Sequence, residues 1–210
     1  MLKVWGRATS INVQKVMWAV GEMGIAHERI DVGGRFGGLD TPAYLAMNPN
    51  ARIPTIEDDG VAVWESNAII RYLAARYDKG GLWAREPGAQ AQADAWMDWM
   101  QTTLAADFYG VFWAVVRTPA ARQDRTAIKD LTERLTGSYA LLDRQLAARP
   151  YLVGDRFSLA DITVGVTLYR YFEMEIDRPA LSNLQGWYER LKARPAFRDN
   201  VMISFEELRG

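Results

Sequence analysis

The groups able to do chemistry in this chain are hydroxyls, carboxamides and paired charges at the starts of helices and strands, because the more reactive side chains are missing. Of 210 residues none is cysteine, and one, His27, is histidine. That excludes an enzyme thiolate nucleophile, disulfides, thiolate metal sites and any metal site built on several histidines. A serine triad would have to use His27, which stands in Gly24-Ile25-Ala26-His27-Glu28-Arg29 between a helical and a strand-like run. It reads as an ordinary strand-start residue.

Three clusters remain. Thr9-Ser10-Ile11-Asn12 sits at a strand-to-helix turn. There the Ser10 hydroxyl and the Asn12 carboxamide join the free N–H groups and the positive end of a helix, an arrangement that favours an anion. Both residues would serve equally as plain helix caps. Arg52-Ile53-Pro54-Thr55 precedes a strand. A cis Ile53–Pro54 bond would turn the Ile53 N–H and C=O outward to pair with an extended, peptide-like ligand; the commoner trans bond would not. Trp64-Glu65-Ser66-Asn67 opens a further helix. Ser66 can hold a carboxylate with its hydroxyl and backbone N–H, Glu65 can accept an ammonium, and together they suit an α-amino-acid head group. Capping is again the plain alternative. A fourth cluster, Phe157-Ser158-Leu159-Ala160-Asp161-Ile162, reads as folding: Ser158 and Asp161 form a capping-box variant, with Phe157 against Ile162 as the staple. The glycine-rich stretch from Gly33 to Gly38 lacks both phosphate-loop and dinucleotide spacing and reads as linkage.

The elements that position these clusters follow from hydrophobic period and turn residues. Leu2 to Trp5 is a short strand ending at Gly6. Ser10 to Met23 is an amphipathic helix, with Val13, Val16, Met17 and Val20 in register and Gly24 as its stop. A strand over Glu28–Val32 and a short helix over Thr41–Met47 follow. Thr55–Glu57 and Val61–Trp64 flank Asp58-Asp59-Gly60, an antiparallel hairpin signal, and Ser66–Tyr77 is the next helix. The order β-α-β-α-β-β-α over residues 1–78 is that of a thioredoxin-like domain. Residues 79–88 read as a linker. From 89 to 210 every long segment is helical: Gln90–Val116, Arg122–Ala148, Ser158–Phe172 and Leu181–Arg194, with a tail from Pro195. The expected class is therefore α/β plus all-α, a thioredoxin-like domain followed by a helical bundle.

With 25 basic against 26 acidic residues and a net charge of −1, the chain has no electrostatic footprint for nucleic acid or an anionic membrane. Its 49 % hydrophobic content supports a sizeable core. The N-terminus shows no signal-peptide pattern, and no apolar run approaches the roughly 18 residues of a membrane span. These features point to a cytoplasmic protein.

Taken in order and with this domain split, the clusters resemble the cytosolic glutathione S-transferase family over the whole chain, in its bacterial, serine-type, theta- or nu-like form. The resemblance implies glutathione as co-substrate and no metal. It implies that Pro54 is cis, that Ile53 pairs with the cysteinyl unit, that Glu65 and Ser66 hold the γ-glutamyl head group, and that Arg52 lies near the glycine carboxylate. Trp5 stands near the place of the catalytic tyrosine of other classes. Ser10, six residues before Val16, falls at the catalytic-serine spacing instead, with Asn12 as a second thiolate donor. Ile11-Asn12 departs from the Ser-Cys of zeta enzymes, which argues against maleylacetoacetate isomerisation. Ser10-x-Asn12 is similar to the Thr-x-Asn of the nu class, so glutathione-dependent disulfide reduction stays open beside conjugation, as does glutathione binding without turnover. The second substrate is expected to be a hydrophobic electrophile or a disulfide, bound between the domains; Trp99, Thr103, Tyr109 and Trp113 are candidate wall residues, though the same aromatic stripe reads more simply as core or dimer interface. A homodimer is expected.

Overall fold

A computed structural model describes the chain from Met1 to Gly210. It divides into two units, Met1–Trp83 with Pro195–Ile203, and Ala84–Arg194 with Ser204–Gly210. The first contains β1 (Leu2–Trp5), α1 (Ile11–Met23), β2 (His27–Ile30), α2 (Pro42–Met47), β3 (Thr55–Asp58), β4 (Val61–Trp64) and α3 (Ser66–Tyr77). The sheet order is β2-β1-β3-β4, with β1 parallel to β2 and antiparallel to β3, and β3 antiparallel to β4. This is the expected thioredoxin-like arrangement. Asp59 and Gly60, at φ 48° and 83°, make the tight turn between β3 and β4.

Register explains how distant clusters meet. Trp5 pairs with Thr55, and Thr55 pairs with Trp64. The C-terminal ends of β1 and β4 and the N-terminal end of β3 therefore lie in one row across the sheet. Whatever follows β1, precedes β3 or follows β4 emerges at that row. Gly6 makes the first of these exits possible: its φ is 151°, and a Cβ there would come 2.4 Å from Val13 Cγ2. At the opposite end of β3, the carboxylate of the buried Asp58 accepts hydrogen bonds from the Tyr72 and Tyr77 hydroxyls (3.0 and 2.8 Å), tying the hairpin to α3.

Burial in α1 extends beyond its expected apolar stripe to Gln14 and Lys15. Part of the cover comes from the helix Pro195–Asn200, whose Phe197 ring meets Trp18 edge-on at 4.7 Å. The sequence reading treated this segment as a tail. Six residues are too few to signal a helix by period, and this one is held by burial of Phe197 rather than by length.

The second unit is all helical. α4 (Pro87–Trp99) begins earlier than expected, inside the stretch read as linker, because Pro87 occupies the first turn and the Glu86 carboxylate caps the Gly88 and Ala89 N–H groups (2.8 and 2.7 Å). The helical run continues to Arg117 through a π turn at Met100–Leu104, α5 (Ala105–Phe112) and a second π turn at Trp113–Arg117. The expected single helix is thus interrupted twice by widened turns. α6 (Arg125–Leu146) starts at its Asp124 cap. It packs close to α5, since a Cβ on Gly110 would come 2.7 Å from Leu131. The expected 158–172 helix is two, α7 (Leu159–Gly165) and α8 (Leu168–Glu173), broken where the Thr167 hydroxyl donates to the Val164 carbonyl and accepts from Tyr139. α9 (Ser182–Lys192) follows, and the Pro195–Asn200 helix of the first unit is α10. Asp161 is fully buried and accepts from Leu152 N–H (3.0 Å), Ser158 N–H (2.9 Å), the Ser158 hydroxyl (3.0 Å) and the Trp187 indole (3.2 Å). The Ser158–Asp161 cluster is a folding device, as its spacing indicates.

Candidate functional site

At the Trp5–Thr55–Trp64 row lies a cavity of about 140 Å³, formed by Asn12 of α1, Asn48 to Pro54 before β3, and Glu65 and Ser66 at the start of α3. α3 is not capped by Ser66 as the sequence reading allowed. The cap position is Glu65, held at φ 69° and ψ 114°, and Ser66 is the first helical residue. A non-glycine residue at positive φ is costly and marks a site where the surroundings dictate the backbone. Freed from capping, the Ser66 hydroxyl accepts from Lys15 Nζ at 3.0 Å and donates to Asn12 Oδ1 at 3.4 Å. With Asn12 Oδ1 so occupied, its amide Nδ2 remains a free donor.

The loop before β3 is fixed by a buried network. The Tyr44 hydroxyl donates to the Arg52 carbonyl (2.6 Å) and contacts Thr55 Oγ1 (2.9 Å). Asn48 Nδ2 donates to the same carbonyl and the same hydroxyl (2.8 and 2.9 Å), while Asn48 Oδ1 accepts the Asn50 N–H (3.0 Å). Trp5 packs edge-on against Tyr44 with ring centroids 6.3 Å apart. The Ile53–Pro54 bond is cis. The Ile53 N–H and C=O make no hydrogen bond within the protein, so a complete backbone pair is presented to a ligand.

Two exposed charges, the Arg52 guanidinium and the Glu65 carboxylate, also line the cavity, and neither is held in a hydrogen bond or ion pair within the protein. A third charge lies beneath: Lys15 is completely buried, and burial pushes its pKa down to about 7, against the pull of Glu65 and with the push of Arg71. An acid, a base, a serine N–H and hydroxyl, and a free backbone pair together match a short peptide with an amino-acid head group and a terminal carboxylate. The cavity is smaller than a tripeptide, so it is a head-group subsite rather than a full enclosure.

Of the residues singled out by sequence, Asn12, Arg52, Ile53, Pro54, Glu65 and Ser66 meet in this one cavity. Ser10 is not part of its wall. It occupies the cap position of α1 but makes no side-chain cap bond, so its half-buried hydroxyl has no protein partner. Lys15, Asn48 and Asn67 were missed. Asn48 marks only the end of the short helix in the sequence, and Lys15 draws no reading of its own; the signal for Lys15 was its place between Val13 and Val16. His27 is exposed, with Nδ1 2.9 Å from the Ile25 carbonyl. Trp99, Thr103, Tyr109 and Trp113 all stay at least partly exposed, Trp113 at 60 %, whereas Phe108 and Phe112 take the core. A larger cavity, about 650 Å³, lies beside α6 in the second unit. There Arg125, Lys129 and Arg178 stand with Glu133, Glu175 and Asp177, and nothing repeats the acid–hydroxyl–backbone pattern of the smaller one.

The fold and site define a thioredoxin-like domain with a peptide head-group subsite, joined in one chain to a helical domain. Residues 9–76 match the family described as glutathione S-transferase, N-terminal domain, and residues 119–190 its C-terminal domain. The chain is 40 % identical over 205 residues to glutathione S-transferase GstB of Escherichia coli K12, covering 97 % of this chain and 99 % of that one. A solved theta class glutathione S-transferase from Xanthomonas axonopodis pv. citri, with glutathione bound, superposes with a TM-score of 0.92 at 47 % identity, over 97 % and 98 % of the two chains. A Bombyx mori glutathione transferase superposes at 0.85 with 27 % identity, over 95 % and 92 %. The chain belongs to the glutathione S-transferase family.

Proposed function

We propose that the protein is a glutathione transferase in which the thioredoxin-like domain, residues 1–78, binds glutathione and the helical second unit, without the 195–203 segment that belongs to the first, contacts the second substrate. The observation that carries this reading is the unpartnered Ile53 backbone pair in one cavity wall with Glu65 and Ser66. Ile53 pairs with the cysteinyl unit, Glu65 takes the γ-glutamyl ammonium, and Ser66 holds its carboxylate with hydroxyl and N–H. Arg52 serves the glycine carboxylate.

A free cysteinyl thiol has a pKa of about 8.5, so little is thiolate at neutral pH. Donation from the Ser10 hydroxyl, from Asn12 Nδ2 and from the N-terminus of α1 favours the anion. Lowering the pKa by about two units corresponds to roughly 2.7 kcal/mol, within reach of two charge-assisted hydrogen bonds. Ser10 acts as donor rather than base. The thiolate attacks an electrophilic carbon, whose leaving group departs with the bonding pair. The half-buried Trp99 and Tyr109 and the exposed Trp113 are candidates for the wall around that electrophile, and no metal takes part.

The resemblance of Ser10-x-Asn12 to the Thr-x-Asn of the nu class, with Asn12 in the cavity wall, keeps a second reading in which the thiolate attacks a disulfide. One sulfur leaves as thiolate and a mixed disulfide forms; a second glutathione thiolate then attacks the glutathione sulfur of that disulfide, giving oxidised glutathione and releasing the other half as a second thiolate. Calorimetric titration with glutathione, followed by rates on an aryl halide and on a small disulfide, tests both. Saturable binding with turnover of either substrate supports the proposal, and absence of binding refutes it. We further propose a homodimer, supported by the exposed Phe36, Leu45, Val61 and Trp64 of the first unit.

A further inference from the structure

Lys15 is a fully buried lysine with no acid bonded to it. Its Nζ donates to Ser66 Oγ at 3.0 Å and to Asn67 Oδ1 at 2.9 Å, both neutral acceptors, and none of the side chain is exposed. The charges that act on it are Glu65, attractive but through space, and Arg71, repulsive. α10, packed against the same helix, turns the apolar Ala196 and Phe197 towards α1. Buried cations are ordinarily matched by an anion, because desolvation costs more than neutral hydrogen bonds return. Here the missing anion has an obvious point of arrival, one hydroxyl away, at Ser66.

We propose that Lys15 is the buried counter-charge for the ligand carboxylate held at Ser66, a positioning residue that acts through the Ser66 hydroxyl. The inference rests on the reading that the γ-glutamyl head group of glutathione occupies this cavity. The geometry supplies the mechanism. Donation from Nζ occupies a lone pair of Ser66 Oγ and directs the hydroxyl proton away from Lys15. Its present acceptor, Asn12 Oδ1, is a wall residue at a long 3.4 Å, readily exchanged for a carboxylate. The hydroxyl then carries a polarised, charge-assisted bond to the ligand. A second consequence concerns protons. Burial holds Lys15 near neutrality without the ligand, and a carboxylate one hydroxyl away restores its hold on a proton. Carboxylate binding therefore takes up a proton just above pH 7, and affinity falls as pH rises.

The test uses S-methylglutathione, whose blocked thiol releases no proton, titrated by calorimetry at pH 7.5 in buffers of different ionisation enthalpy. The wild type should take up a fraction of a proton. Lys15→Met should take up none and bind about ten- to a hundredfold more weakly, the size of one charge-assisted bond. Lys15→Arg, charged throughout this range, should recover most of the affinity without proton uptake. With the γ-glutamyl unit replaced by 4-aminobutanoyl, which keeps the amine and lacks the carboxylate, wild type and Lys15→Met should bind alike. Proton uptake by the wild type that persists with the 4-aminobutanoyl ligand overturns the proposal, and this arm needs no variant to fold. Equal affinities of wild type and Lys15→Met for S-methylglutathione also overturn it, while leaving the glutathione reading intact. A wild type that binds no S-methylglutathione overturns both.

Discussion

Ser66 carries two hydrogen bonds at once, one received from Lys15 and one given to Asn12, and a ligand carboxylate competes only for the second. Ser66→Ala should therefore weaken glutathione binding more than turnover. A head-group contact is made equally in ground and transition states, so KM should rise about tenfold with kcat at saturation little changed. Steady-state rates across glutathione concentration decide this, and an unchanged KM removes Ser66 from the site. Lys15 also predicts a pH effect on the fold itself. Its unfolded pKa is 10.5 and its folded one about 7, so its burial costs stability in full below pH 7. That cost is relieved as pH rises from 7 towards 10.5, the window in which the unfolded chain holds a proton that the folded chain has lost. Without ligand, the Tm of the wild type should rise relative to Lys15→Met between pH 7 and 9; a constant difference contradicts the assignment. Ser66 and Glu65 were legible because a hydroxyl and an acid at a helix start are a recognisable ligand pattern. Lys15 was not, because a lysine inside a helical period reads as solvent face until the helix packed against it is known.

Among the elements, those that build the site were largely legible, since each ends at a residue with one physical job. Gly6 closes β1, the Asp59-Gly60 turn sets the hairpin, and Gly24, in the left-handed conformation at φ 63°, ends α1. What the sequence did not disclose are features created by packing: the π turns flanking α5, the break at Thr167 and the six-residue α10. The same holds for the Tyr44–Asn48–Thr55 network, whose members are far too ordinary in type to be recognised before they meet. Tyr44→Phe should leave the Arg52 carbonyl with Asn48 alone and loosen the cavity wall. The loss of about 1 kcal/mol should appear as a roughly fivefold rise in glutathione Kd, measured by calorimetry. In the second unit, Asp161→Ala strands the Leu152 and Ser158 N–H groups and the Trp187 indole. Denaturant unfolding should show a loss of about 3 kcal/mol or more, and a loss below 1 kcal/mol would contradict the account of Asp161 as the second unit's buried anchor.

For the molecule as a whole, the exposed apolar side chains Phe36, Leu45, Val61 and Trp64 on the first unit are the surface that the proposed homodimer would cover. Sedimentation at micromolar concentration should report a dimer, and a monomer at that concentration would count against the pairing. In the proposed reading the thiol chemistry belongs to the first unit, where the sequence named both Ser10 and Asn12 and the cavity wall includes Asn12 without Ser10. One measurement bears on this most directly: ultraviolet titration of the thiolate of bound glutathione in the wild type, Ser10→Ala and Asn12→Ala. The wild type should show a thiol pKa below the free value of about 8.5, and losing the dominant donor should raise it by about one to two units. A bound thiol that titrates at its free value in the wild type, or a lowered pKa that neither substitution moves, would contradict the claim that these two side chains hold the thiolate.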